Sequence, residues 1–118
     1  MKLIDIANLL DASFLACEKL KDREIPCAFS CDLISDILKC TAEQTLLLTG
    51  LTNPQIIRTA EMIDLLGIVI VRGNSLTERV IEEAEEASVP VLSTRLTMYE
   101  ASGRLYGAGL RACKTKNA

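Results

Sequence analysis

Three short aliphatic runs punctuate the chain, Thr45–Leu48, Gly67–Val71 and Val89–Leu92, and their starts lie 22 residues apart. Each run stops in small polar residues: Thr49-Gly50, Arg72-Gly73-Asn74-Ser75 and Ser93-Thr94. Unbroken apolar runs of this length mark strands buried on both faces. The segments between them carry helical periodicity and are long enough for crossovers. The pattern predicts strand–helix–strand–helix–strand, a mainly parallel sheet flanked by helices in a three-layer α/β domain. In such a sheet the polar strand ends fall on one rim, where open α/β sheets bind ligands.

The remaining pattern fills in around this unit. Leu3, Ile6, Ala7 and Leu10 recur at i, i+3, i+4 and i+7, a short amphipathic helix over residues 2–10. Phe14–Cys17 reads as a brief strand, followed by a charged stretch from Glu18 to Glu24. Ile25–Cys31 alternates, placing Ile25, Cys27, Phe29 and Cys31 on one face of a strand. Asp32 is positioned to cap a helix reaching about Leu38. Asn53-Pro54 reads as N-cap and first helical residue of a helix running to about Leu66 and ended by Gly67. Asn74 or Ser75 caps the next helix, whose acidic residues Glu78, Glu82, Glu83, Glu85 and Glu86 form a solvated outer face. Pro90 opens the last aliphatic strand, where its missing donor is tolerable. Thr97 and Glu100 form a capping-box pair at the start of a final helix that breaks at Gly107-Ala108-Gly109. Residues 1–110 thus read as one domain, and residues 111–118 as a flexible tail, frayed from Lys114 onward.

Composition narrows the function more than it defines it. A chain of 118 residues supports one domain, and 49% apolar with 25% charged residues is a globular balance. The net charge of −3, scattered basic residues and only two Tyr and two Phe leave no footprint for nucleic acid. No segment is apolar enough to span a bilayer, and Asp5 and Asp11 interrupt any signal-peptide centre, so the expected location is the cytoplasm. The chain has no histidine. That removes the commonest general base and transition-metal ligand together.

The cysteines are five, and Cys27-x3-Cys31 with Cys40 lacks the pairing of a structural zinc site. Cys27 and Cys31, beside Phe29, read as small buried apolar groups. Cys40 and Cys113, near element ends, would be the reactive ones if any are. Asp32 and Asp36 lie one helical turn apart, but no nucleophile or partner base accompanies them. No catalytic residue, metal site or cofactor is expected.

The rim remains. Helix N-termini expose backbone donors that favour phosphate or carboxylate, and Thr49, Gly50, Asn53, Gly73, Asn74 and Thr94 are the residues placed there, with Arg72 adding charge. The same residue types are needed at such loops for capping alone.

Several stretches together carry a family resemblance: Asp22-Arg23-Glu24-Ile25, Ser30 to Asp36, the Thr49 to Asn53 loop, and Ser93-Thr94 through Gly103-Arg104-Leu105-Tyr106. The pattern resembles the DRTGG domain over about residues 1–110, most of all its small stand-alone members. The resemblance implies an α/β domain, commonly dimeric. Such domains occur fused to CBS-domain pairs in regulated pyrophosphatases and to phosphotransacetylases, and a related fold opens HPr kinases. In those settings the domain is an accessory or regulatory module. The chain departs from the namesake residues: Thr52-Asn53 stands where many members have Asp-Arg, and Gly73-Asn74 where they have Gly-Gly. The family's Gly-Gly near Cys27-Ala28 is also missing. The expectation is a non-catalytic regulatory or interaction module acting as a homodimer, with a regulated protein partner. The alternative is a small-molecule sensor that binds a nucleotide or other phosphate-containing ligand at the rim.

Overall fold

The computed structural model describes residues 1–40 and 44–114. In chain order the elements are α1 (Leu3–Leu9), β1 (Ser13–Ala16), β2 (Cys27–Ser30), α2 (Ile34–Cys40), β3 (Leu46–Thr49), α3 (Gln55–Met62), β4 (Gly67–Ile70), α4 (Glu78–Glu86), β5 (Val91–Ser93), α5 (Met98–Gly107) and β6 (Arg111–Ala112). A single 3-10 turn, Glu18–Leu20, follows β1. The six strands form one sheet in the order β1-β5-β4-β3-β2-β6. All neighbours run parallel except β1, which lies antiparallel against β5.

Alternation along the central strands divides the core in two. Leu47, Ile68, Ile70 and Val91 point to the face covered by α2, α3 and α4. Leu46, Leu48, Val69, Val71 and Leu92 point to the face covered by α1 and α5. β3 and β4 are buried at every position, as a strand sandwiched between two helical layers must be. The three-layer α/β expectation holds.

Four helices close in the same way. After α1, α3, α4 and α5 the chain passes through one left-handed residue: Asp11 (φ 50°), Asp64 (φ 55°), Ser88 (φ 58°) and Gly109 (φ 103°). The next N–H then reaches back to a carbonyl five residues earlier: Ala12 to Ala7, Leu65 to Ala60, Val89 to Ala84 and Leu110 to Leu105, at 2.9–3.0 Å. This double-bonded closure satisfies carbonyls that a helix end leaves open. It also corrects the predicted end of α3. Asp64, not Gly67, turns the chain, so the helix stops at Met62 and Gly67 begins the next strand.

Helix starts differ from expectation too. Thr77 accepts the Val80 N–H and caps α4, in place of Asn74 or Ser75. The cap position of α3 is Pro54, without a side-chain bond, and Asn53 contributes only its carbonyl, to the Ile56 N–H. Thr97 caps α5 as predicted, through the Glu100 N–H. The Glu100 carboxylate turns to Arg104 instead of closing a capping box.

The cysteines depart furthest from the sequence reading. Cys27 and Cys113, 86 positions apart, form a disulfide. Cys27 is therefore not a plain apolar filler, and Cys113 is not a reactive thiol. The bond follows from β6, which pairs with β2 in the register Cys27–Arg111 and Ala28–Ala112. The sheet accordingly extends past residue 110. The tail at residues 115–118 and the Cys40 side chain lie outside the described residues. Among the described residues no helix is long and apolar enough to cross a membrane.

Candidate functional site

Parallel pairing brings four chain exits to one edge: β2 at Cys31-Asp32, β3 at Thr49-Gly50, β4 at Val71 to Asn74, and β5 at Thr94-Arg95. Ladder bonds carry the register to the rim itself, from Cys31 N–H to Leu48, Val71 N–H to Thr49 and Thr94 N–H to Ile70.

Asp32 organises this edge. One carboxylate oxygen accepts the Gly50 N–H at 2.6 Å and the Thr49 hydroxyl at 3.1 Å. The other meets the Arg72 guanidinium at 3.2 Å. Partial burial pushes the Asp32 carboxyl up, but the Gly50 N–H, Arg72 and Thr49 together outweigh it and hold it below its ordinary value. Helix α2 begins two residues later, at Ile34, and the carboxylate faces β3 and β4 across the rim, not the helix. The expectation that Asp32 serves as a helix cap gives way to this role.

The glycine at position 50 leaves room for the Arg72 side chain. A Cβ there would collide with the Arg72 guanidinium and sit 3.2 Å from the Asn74 amide nitrogen. Asn74 donates to the Gly50 carbonyl at 2.9 Å. The β4 loop reaches this position through two consecutive left-handed residues, Arg72 (φ 63°) and Gly73 (φ 67°). It is tied to the β5 exit by Gly73 N–H to Thr94 O and Arg72 N–H to Leu96 O.

Of the residues predicted for the rim, Thr49, Gly50, Gly73 and Asn74 therefore assemble around one network. Thr94 joins it by its backbone. Its hydroxyl is buried and donates to Leu10 O at 2.7 Å while accepting the Leu96 N–H. That hydroxyl locks β5 to the end of α1. Asn53 is exposed at the start of α3 and stands apart from the Asp32 network. Asp32 itself was missed as a site residue. The available signal was its position, the first charged residue after a strand-like run, matching Arg72 after β4.

A second feature lies on the α1/α5 face. A groove of about 790 Å³ runs between α5 and the β2–β6 edge, lined by Tyr99, Ser102 and Tyr106 on one side and Ala28, Leu110 and Ala112 on the other. Ser30 and Ser102 hydroxyls meet across it at 2.7 Å. Tyr99 is 90% and Tyr106 73% exposed. Nothing in the sequence reading located this groove, because it needs β6.

Cys17 illustrates the opposite case, a thiol withdrawn from chemistry. It is buried and left-handed (φ 57°), and its N–H donates to the Glu85 carboxylate at 2.9 Å. Burial, with the Glu85 charge and hydrogen bond added, pushes the thiol up to about 11. Glu85 is thus more than part of a solvated face. Among the described residues no cluster of His, Cys, Asp or Glu could hold a metal ion.

The domain is thus a mainly parallel three-layer α/β fold with a polar network on its rim and a groove beside its last helix. The chain belongs to the DRTGG domain family, whose model matches residues 5–108. Its fold is similar to the CBS and DRTGG domains of the regulatory region of Clostridium perfringens pyrophosphatase, a crystal structure in complex with its activator diadenosine tetraphosphate. The TM-score is 0.71 at 14% sequence identity, and the match covers 98% of this chain. It covers 51% of the other, so the chain spans about half the length of that crystallised regulatory region. No curated protein matches the sequence.

Proposed function

We propose that this chain is a non-catalytic regulatory module that works through protein contact, as a homodimer joined along the α5 face. One contrast carries the reading. Three of the rim's polar groups, Asp32, Arg72 and Asn74, are engaged with one another and with Gly50. The α5 face instead presents two tyrosines to solvent beside an apolar groove. Tyrosines of this kind, apolar in body and polar at the tip, are enriched where proteins meet. Membership in the DRTGG family supports a regulatory role. Replacing both tyrosines, in Tyr99→Ser/Tyr106→Ser, should abolish self-association and leave a folded monomer whose Tm no longer depends on protein concentration. Self-association that survives the double substitution would refute the α5 face.

A second reading is favoured by one observation, that the similar pyrophosphatase regulatory region was crystallised with a dinucleotide activator. In this reading the module senses a phosphate-containing ligand at the rim, with Arg72 exchanging Asp32 for the phosphate. Thermal melting against nucleotides and inorganic phosphate tests it. A ligand at 100 times its Kd stabilises by about 2.7 kcal/mol, a shift that Arg72→Ala would remove.

A further inference from the structure

We propose that the Cys27–Cys113 pair is a thiol–disulfide switch that holds or releases edge strand β6, and with it one wall of the α5 groove. β6 is two residues long and both side chains are exposed. Its attachments include ladder pairing to Cys27 and Ala28, the Cys113 N–H to Ala28 O bond at 3.2 Å, and the disulfide itself, while Leu110 just before it is buried in the α1/α5 core. The two strand residues themselves bury little surface to set against the entropy of ordering them. The covalent bond supplies the missing restraint. Leu110, Arg111 and Ala112 also line the groove opposite α5. Release of β6 therefore opens the groove and uncovers the outer edge of β2, whose main-chain groups can then pair with an added strand. This inference is independent of what occupies the groove.

The reductant is a dithiol. Its thiolate attacks the sulfur of Cys113, which is 8% exposed against 0% for Cys27. A mixed disulfide forms as the Cys27–Cys113 bond breaks, and the electron pair leaves on Cys27 as thiolate, which takes up a proton. The second thiol of the reductant then displaces Cys113 and closes the reductant's own disulfide. Two electrons and two protons pass to the protein. Oxidation of the two thiols by a disulfide of the same class reverses the step.

The test is amide hydrogen exchange on the full chain, air-oxidised and after dithiothreitol, with thiols counted by alkylation and mass. Reduction should release two thiols and speed exchange in residues 107–114 at least tenfold, leaving β3 and β4 unchanged. The Cys27→Ser/Cys113→Ser variant should exchange like the reduced protein whether or not reductant is present. Three results would overturn the switch: an oxidised protein with both thiols titratable, unchanged exchange at residues 107–114 after the thiols are released, or an equal rise in β3 and β4. The last would make the bond a staple of the whole fold.

Discussion

Asp32, Gly50 and Arg72 show how single residues set the rim. Asp32→Asn removes the charge that holds Arg72 and should cost about 1 kcal/mol, a charge-assisted bond discounted for the half-exposure of both partners. The Asp32 carboxyl lies below its ordinary value in the folded protein, whereas the unfolded chain titrates near 3.9. Its contribution is therefore complete above about pH 4 and is lost as pH falls through the folded value. The stability gap between wild type and Asp32→Asn, followed by denaturant melts, should close on acidification. Gly50→Ala should disrupt the same pair from the other side by displacing the guanidinium. Cys17 runs in the opposite direction. Its folded value is raised to about 11 from an unfolded value near 8.5, so its contribution holds below about pH 8.5 and is lost toward pH 11. Native protein treated with iodoacetamide at pH 8 should carry no label on Cys17, as judged by peptide mass. Labelling there at the rate of an unfolded control would contradict the burial and Glu85 contacts.

At the scale of elements, helix ends separate what the sequence revealed from what it concealed. Strand and helix identities were legible because apolar runs and helical periods are local signals. Helix boundaries were less so. Three of the four closing residues are Asp11, Asp64 and Ser88, and non-glycine residues carry no mark of the left-handed region. A side chain there costs roughly 1–2 kcal/mol that glycine does not. Ser88→Gly should therefore stabilise the protein by about 0.5–1 kcal/mol, the larger unfolded-state freedom of glycine offsetting part of the gain. Caps discriminate in the same way. Thr77→Ala should cost about 1 kcal/mol as a lost N-cap, while Asn53→Ala should stay within about 0.5 kcal/mol. Equal losses at the two positions, by urea titration, would restore Asn53 as the cap of α3. The rim was legible in outline for the same local reason, since each strand runs into polar residues. The pairing of Asp32 with Gly50 was not, because it depends on which strands become neighbours.

For the whole molecule, the long-range features decide what surface is offered. The Cys27–Cys113 bond spans 86 positions. No spacing rule links those cysteines; only the crossover of α5 to the far edge of the sheet brings them together. Because β6 is the element the bond holds, reduction should loosen residues 107–114 while the two-faced core persists. The groove owes its second wall to the same crossover. The family and the three-layer fold were readable from the chain alone, since both rest on distributed patterns rather than on any single contact.

The module proposed here self-associates through α5. Its most direct test is the solution mass of the oxidised wild-type chain by light scattering at tens of micromolar. A dimer gives twice the 12.9 kDa of one chain, falling to the single-chain mass in Tyr99→Ser/Tyr106→Ser. A single-chain mass for the wild type throughout that range would contradict it.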